Sequence, residues 1–139
     1  MRKRTLAREF SLQLLYQLDI TKEPAAEAAL ENFWLVHNEE SIDKELKEFA
    51  SKLVKGVISN LDEIDKKISQ YAQNWQLKRM AVVDRNIMRM GCFELIYCDD
   101  IPAKVSINEA VDLAKKFSGV EAGKFVNAIL DKIKAEKDK

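Results

Sequence analysis

The most regular feature of this sequence is a stripe of apolar residues that recur every three or four positions. The stripe consists of Ile42, Leu46, Phe49, Leu53, Val57 and Leu61. This spacing places the apolar side chains on one face of an α-helix, whereas a half-buried strand would alternate every second residue. The whole chain holds four Gly and two Pro, which leaves little turn chemistry for a hairpin-rich fold. The sequence therefore predicts an all-α protein.

Similar stripes and turn signals predict three more helices around this one in the first half of the chain. A first helix is expected from about Lys3 to Ile20, and Pro24 suits the first turn of a second helix. Ser41 is expected to cap the helix that carries the regular stripe. The apolar pattern continues past the end of this stripe, and one continuous helix would also give it. We predict instead a break at Asn60–Asp62, after which a fourth helix begins.

The second half of the chain is predicted to form three further helices. A fifth helix must end before Pro102, because a residue that precedes proline is pushed toward extended conformations. Ser106 and Glu109 have the spacing of a capping box, so a sixth helix is expected to begin there and to end at Ser118–Gly119. Glu121 is expected to open the last helix, since negative charge is favourable at a helix N-terminus.

Residues 1–139 are expected to form a single helical domain. With 139 residues and 47% apolar side chains, the chain can bury one substantial core. The helices are expected to divide into an N-terminal lobe of about residues 1–75 and a C-terminal lobe of about residues 76–139 that share this core. The sequence contains no internal repeat and no low-complexity linker between the lobes.

Composition predicts a cytoplasmic protein. Cys92 and Cys98 are the only cysteines, and their spacing fits neither a complete zinc pattern nor a disulfide framework. We therefore expect buried thiols in a reducing cytosol. No apolar run approaches ~18 residues, and the charged start leads into an amphipathic helix, so neither a membrane span nor a signal peptide is expected.

Residues suited to catalysis are scarce. His37 is the only histidine and has no neighbour at ligand spacing, so a surface position is the simpler interpretation. Gly119 and Gly123 follow no predicted strand and precede no Lys-Ser or Lys-Thr pair, so they do not form a phosphate-binding loop. Asp99–Asp100 is interpreted as a helix C-terminal turn rather than a cation site. The sequence predicts neither enzymatic activity nor a cofactor or metal.

Basic residues gather at the N-terminus, although the formal net charge of the chain is zero. One helical turn separates two of the arginines, so both can point at phosphates from one face, and the residues before them can fold onto the same backbone. Farther along the helix, an amide and a phenol ring are suited to base edges and to stacking. The candidate RNA-binding residues are Arg2, Lys3, Arg4, Arg8, Gln13 and Tyr16. The same pattern also fits a solvated charged face with Tyr16 in the core.

Five parts of the sequence carry recognisable motifs: Arg4–Glu9 with Gln13–Tyr16, Asp84–Leu95, Asp100–Val111, Lys115–Phe117 and Lys124–Asp131. In this order, and over essentially the whole chain, these motifs resemble those of the NusB family. The combination of Ile107–Ala110 with Lys124–Asn127 is the most specific part of the resemblance. Two positions depart from the family pattern, since Ala128 stands where Gly is frequent and Phe93 where Tyr is frequent. We expect both changes to affect packing only.

The resemblance implies a compact seven-helix, two-lobed fold and a function in transcription antitermination. Proteins of this family pair with the ribosomal protein that doubles as NusE, and they bind the single-stranded boxA element of nascent RNA. They join an elongating RNA polymerase with other Nus factors and suppress termination, notably in ribosomal RNA operons. The same partners are implied for this chain, without a membrane, and the free protein is expected to be a monomer or a homodimer.

The resemblance also implies further site residues. The RNA surface would include Lys124 and Phe125 from the last helix in addition to the N-terminal residues named above. Glu121 would lie beside that surface, where its charge could limit affinity by repelling phosphate. The protein partner would meet the fifth helix at Asp84, Arg85 and Arg89.

Two other classes of protein remain open from the residues alone. A helical domain similar to the NusB fold is fused to ribosomal RNA methyltransferases, but this sequence contains no strand-helix alternation and no Gly-rich cofactor loop. A pure protein-interaction module would use the basic N-terminus for solvation only. Loss of RNA binding when the N-terminal residues are changed, with folding intact, separates an RNA-binding protein from such a module.

Overall fold

The computed structural model describes residues 2–22, 26–40, 42–72 and 77–138. In these ranges the chain forms seven α-helices and one 3-10 turn, with no strand, so the all-α prediction is confirmed. None of the helices in these ranges is long and apolar enough to cross a membrane. The helices are α1 (Lys3–Thr21), α2 (Ala26–Val36), α3 (Lys44–Ser59), α4 (Leu61–Tyr71), α5 (Val82–Tyr97), α6 (Ala103–Phe117) and α7 (Val120–Lys137), and the 3-10 turn is Leu77–Arg79.

The predicted break between the third and fourth helices is confirmed. α3 ends at Ser59 and α4 begins at Leu61, with Asn60 between them in a turn. The first helix also agrees with its predicted bounds, since α1 ends at Thr21, one residue beyond the expected end. Apolar periodicity therefore locates these helices well.

The start of α3 is capped by an aspartate. The backbone N–H of Leu46 donates a hydrogen bond to Oδ1 of Asp43 over 3.0 Å, which satisfies one of the free donors of the first turn. Ser41, the predicted cap, and Pro24, the predicted first-turn residue of the second helix, lie outside the described residues. Asp43 also contacts Lys3 at the start of α1.

The predicted capping box at Ser106 and Glu109 is wrong. α6 begins at Ala103, and the backbone N–H of Ser106 already donates to the carbonyl of Pro102 over 3.2 Å. Ser106 is buried within the helix, where its hydroxyl donates to Oε1 of Glu94 over 2.8 Å. Ser106, which the sequence pattern assigned to the start of a helix, thus donates its hydroxyl hydrogen bond to the buried carboxylate of Glu94.

The backbone contacts divide the chain into two compact units, Met1–Ser59 and Asn60–Lys139. The first contains α1, α2 and α3, and the second contains α4 to α7. α4 therefore belongs to the C-terminal unit, whereas the sequence expectation assigned it to an N-terminal lobe ending near residue 75. A single domain over residues 1–139 stays a prediction.

In the N-terminal unit, α1 packs against α3. The hydroxyl of Ser11 lies 2.9 Å from the carbonyl of Ala7 in its own helix and 3.3 Å from the carbonyl of Ala50 in α3. Apolar side chains close the core around this contact, and they include most of the predicted stripe: Leu14, Leu15, Leu18, Leu30, Phe33, Leu46, Phe49, Leu53 and Val57. The packing brings the first turn of α1 beside the first turn of α3.

In the C-terminal unit, α5 is buried on all sides from Asn86 to Leu95. A Cβ atom added at Gly91 would lie 2.7 Å from Cδ1 of Leu130, so α5 and α7 approach each other closely at this glycine. The cysteines are buried free thiols, as predicted. Burial raises the pKa of Cys92 to about 12, so this thiol is protonated and unreactive at neutral pH.

Candidate nucleic-acid interface

The N-terminal arm, defined as Arg2, Lys3 and Arg4, carries three exposed cations at the start of α1. The ammonium of Lys3 lies 2.7 Å from Oδ2 of Asp43 and 3.2 Å from Oε2 of Glu45. The hydrogen bond from Lys3 lowers the pKa of Asp43, and the same bond raises the pKa of Lys3. All three side chains are exposed, and exposed ion pairs are weak, so a phosphate can displace the two carboxylates.

Arg4 and Arg8 share one aromatic ring but differ in exposure. Their guanidinium carbons lie 4.4 Å and 5.2 Å from the ring centroid of Phe49. Arg4 is exposed, whereas only 2% of Arg8 is accessible to solvent. The sequence pattern predicts that both guanidinium groups can point at phosphates from one face, whereas the structure exposes Arg4 and buries Arg8. An RNA contact by Arg8 stays a prediction.

Gln13 and Tyr16 form a separate surface of α1. Both are exposed, and 40% of Tyr16 is accessible, so the alternative with Tyr16 in the core is wrong. Gln13 lies nine positions after Arg4, which is about two and a half turns of a helix with 3.6 residues per turn. The two side chains therefore point to opposite sides of α1. α1 therefore brings Gln13 and Tyr16 together but does not place Gln13 on the same face as Arg4.

The start of α7 carries the candidate residues of the C-terminal unit. Gly119 has a φ of 131°, a conformation that favours glycine, and α7 begins directly after it. The ammonium of Lys124 lies 3.4 Å from Oε1 of Glu121, and both side chains are exposed. Phe125 is half-buried and lines a groove of about 630 Å³ with Glu121, Arg79 and Asp84. An aromatic ring and charged side chains of both signs therefore line the same groove.

Asp84 is the candidate partner residue with unused hydrogen-bonding capacity. Its Oδ1 atom is buried at the wall of this groove, and none of the described residues donates a hydrogen bond to it. A buried carboxylate oxygen without a donor is costly, so a ligand that supplies an N–H or O–H group is favoured at this position. The two predicted surfaces of the C-terminal unit, Asp84 for protein and Phe125 for RNA, thus meet in one groove.

The other two candidate partner residues hold the protein together. Arg89 is 9% exposed, and its Nε and Nη2 atoms donate to the two carboxylate oxygens of Asp65 over 2.8 Å and 2.9 Å. Nη1 of Arg85 donates to the carbonyl of Leu77 in the 3-10 turn over 3.4 Å. Both arginines therefore have structural contacts, and a role in partner binding stays a prediction.

Sequence reasoning missed the contacts that fix the arm. Phe49 was identified as a core residue of the stripe, and nothing in its spacing indicates that two guanidinium groups lie over its ring. Asp43 and Glu45 follow the arm by about forty positions, so only the packing of α1 on α3 brings them together. His37, predicted at the surface, is half-buried and stacks on Phe33 with ring centroids 4.3 Å apart.

The fold and these surfaces define an all-helical protein that acts by binding. A family model described as the NusB family matches residues 5–135. The transcription antitermination protein NusB of Desulfatibacillum aliphaticivorans is 46% identical over 136 residues, which cover 96% of this chain and 90% of the relative. NusB of Myxococcus xanthus (strain DK1622) is 48% identical over 134 residues, which cover 96% and 95%. The chain belongs to the NusB family, and its function is transcription antitermination without enzymatic catalysis.

Solved structures support the same assignment. A structure of T. maritima NusB is 37% identical, with a TM-score of 0.83, and the similarity covers 96% of this chain and 91% of that one. A crystal structure of the antitermination factors NusB and NusE in complex with dsRNA contains a chain that is 31% identical, with a TM-score of 0.86. The similarity covers 98% of each of the two chains. These structures confirm the family fold that the sequence resemblance implied.

Proposed function

We propose that this chain is an RNA-binding antitermination factor that pairs with a NusE-type ribosomal protein and binds single-stranded boxA RNA. In this proposal the complex joins an elongating RNA polymerase with other Nus factors and promotes processive transcription of ribosomal RNA operons. The site of action is the cytoplasm, and the free protein is a monomer or a homodimer. No chemical step is required, since binding alone links the RNA to the polymerase.

The observation that carries the proposal is the exposed N-terminal arm, in which the two carboxylates that contact Lys3 are exposed as well. Arg2, Lys3 and Arg4 can each neutralise a phosphate, and the contacts of Lys3 with Asp43 and Glu45 are of the weak, exchangeable kind. A related chain at 31% identity has been solved in a complex of NusB, NusE and dsRNA, which supports RNA as the ligand.

The groove of the C-terminal unit supports a second ligand beside the RNA. A donor from the NusE-type partner would satisfy Oδ1 of Asp84, and the ring of Phe125 would stack on a base. Two ligands that share one groove are coupled, and the coupling acts equally in both directions. We therefore expect the partner to raise RNA affinity by more than its own contacts with RNA account for.

Fluorescence anisotropy of a labelled boxA-like RNA and a scrambled control, with and without the NusE-type protein, tests the proposal. We expect selective binding of the boxA-like RNA that strengthens with the partner. Three phosphate contacts at the arm predict a slope of roughly −2 for the logarithm of the binding constant against the logarithm of salt concentration.

Charge-matched variants separate the arm from general electrostatics. The arm variant is Arg2→Gln, Lys3→Gln and Arg4→Gln together, and the control variant is Lys66→Gln, Lys104→Gln and Lys132→Gln, which removes the same charge from exposed positions outside the candidate sites. The arm variant should lose most of its affinity and of the salt slope. Equal affinity for boxA-like and scrambled RNA at every salt concentration would contradict the proposal and favour a protein-interaction module.

A further inference from the structure

α3 carries a basic surface that none of the sites above uses. The α3 lysine groove, as we call it, has a volume of about 660 Å³ and one acidic lining residue. The groove is lined by Trp34, Lys44, Lys47, Glu48, Ser51, Lys52 and Lys55. Four lysines against one glutamate make the lining of this groove net positive, although the formal net charge of the whole chain is zero.

The lysines of the groove follow one side of α3. At 1.5 Å per residue, the distance from Lys44 to Lys55 is about 16 Å, so a strand that lies along the helix passes all four lysines. Lys44 lies 3.8 Å from Glu48, and Lys55 lies 3.1 Å from Glu27 of α2. These pairs join exposed side chains and are therefore weak, so a phosphate can replace the carboxylate.

Trp34 provides a fixed aromatic ring at the side of the groove. The rings of Phe10 and Phe33 meet it edge-on, with centroids 6.0 Å and 5.1 Å away, which holds its orientation. The ammonium of Lys47 lies over the Trp34 ring, 5.9 Å from its centroid. A base of single-stranded nucleic acid can take the place of this ammonium on the ring while the lysine turns to the adjoining phosphate.

The groove is continuous with the N-terminal arm. A neighbouring depression of about 370 Å³ is lined by Lys3 and Arg4 of the arm and also by Glu48 and Lys52. Glu48 and Lys52 line the α3 lysine groove as well. A chain of phosphates that leaves the arm therefore meets Lys52 next and then the remaining lysines.

We propose that the α3 lysine groove binds single-stranded RNA that flanks the boxA element. The four lysines of the groove contact phosphates, and Trp34 stacks on an unpaired base. Lysine is depleted at the centre of protein-protein interfaces, whereas phosphate contacts favour it, so the composition of the groove favours RNA over an acidic protein. The inference rests on the proposed function and lengthens its RNA footprint beyond the arm.

The test compares a minimal boxA-like RNA with the same RNA extended by eight unstructured nucleotides at the 5′ or the 3′ end. We expect one extension to raise the affinity of the unchanged protein by more than fivefold. In the groove variant, with Lys44→Gln, Lys47→Gln and Lys55→Gln, this gain should disappear and the salt slope should fall by about 2, while the minimal RNA binds as before. Trp34→Leu should remove part of the gain.

Controls distinguish this inference from the proposed function. The control variant at Lys66, Lys104 and Lys132 should keep the gain, and circular dichroism should show that every variant is folded. If the minimal RNA binds but neither extension adds affinity, or if the gain survives in the groove variant, the groove does not bind flanking RNA. If an octaglutamate peptide binds the groove and extended RNA gains nothing, an acidic protein is the occupant. Absence of binding to any RNA would refute the proposed function itself.

Discussion

The two units of this protein use their charged residues in opposite ways. In the N-terminal unit, the arm cations are exposed, and Lys3 meets carboxylates that are exposed as well. In the C-terminal unit, Arg89 and Glu94 are buried and form short hydrogen bonds with Asp65 and Ser106. The first arrangement can exchange its partners for a ligand, and the second cannot without exposing a buried charge.

The comparison between the two units shows that a family motif can reflect the packing of the fold rather than the binding of a ligand. Most of the motif residues of α5 and α6 are in the interior, so their resemblance to the NusB family follows from the packing of the fold. The proposed RNA-binding residues of the arm, in contrast, are exposed. Arg8 is the exception in the N-terminal unit, because it belongs to the motif of the first helix but is buried against Phe49.

The largest expected effect is the loss of the ion pair between Arg89 of α5 and Asp65 of α4. Arg89→Ala leaves the half-buried carboxylate of Asp65 without the two donors of the guanidinium, which should lower the free energy of unfolding by about 2 kcal/mol. Urea denaturation measures this change. Lys3→Ala also removes two ion pairs, but exposed ones, and should leave the midpoint of urea denaturation nearly unchanged. If Arg89→Ala and Lys3→Ala destabilise the protein equally, the two units do not differ in how their charged residues contribute to stability.

The second prediction separates the two arginines over Phe49. Arg8→Ala should lower the free energy of unfolding by about 1–2 kcal/mol, because buried hydrogen-bonding and packing contacts are lost, with little change in RNA affinity. Arg4→Ala should leave stability nearly unchanged and reduce the salt slope of RNA binding by about 0.7. Denaturation and anisotropy on the same two variants provide the test. If Arg8→Ala weakens RNA binding without destabilising the fold, its buried position does not describe the bound protein.

Helix positions were predictable from the sequence because they depend on local periodicity. The stripe of α3 and the break at Asn60 required no knowledge of the partners of each residue. The error at Ser106 has the opposite cause, since its hydroxyl serves Glu94 in a neighbouring helix and no local pattern contains that residue. The positions of the candidate site residues divide in the same way: the exposure of Tyr16 follows from the face of α1, whereas the burial of Arg8 depends on Phe49.

A third prediction concerns Glu121 beside the candidate RNA residues of α7. Glu121→Gln removes a negative charge at an exposed position next to Lys124, so RNA affinity should rise about two- to fivefold, since one phosphate no longer faces a carboxylate. Anisotropy at low salt measures the gain, and higher salt should reduce it.

The matched control for this change lies in the same unit. Glu136 accepts hydrogen bonds from Lys67 over 2.7 Å and from the hydroxyl of Tyr71 over 2.8 Å. Glu136→Gln should lower stability and leave RNA affinity unchanged, because that carboxylate joins α4 to α7. If both variants raise RNA affinity equally, net charge rather than position decides the effect.

The smallest expected effect is a change in the pKa of one carboxyl group, that of Asp43. Lysine hydrogen bonds lower the pKa of Asp43 in the N-terminal unit and of Asp99 in the C-terminal unit. A carboxylate with a lowered folded pKa contributes stability above its unfolded pKa, and this stability is lost as the pH falls through the folded value. Lys3→Gln should raise the pKa of Asp43 toward its usual value and leave that of Asp99, which is paired with Lys137, unchanged.

Carboxyl chemical shifts followed by NMR from pH 6 to pH 2 resolve the two aspartates separately. Lys137→Gln is the reciprocal variant and should move only Asp99. If Lys3→Gln leaves the pKa of Asp43 in place, the backbone N–H of Leu46 rather than the arm holds that carboxylate. The contact with Lys3 would then do little to stabilise the charged form of Asp43, and a phosphate would displace Lys3 from Asp43 at little cost.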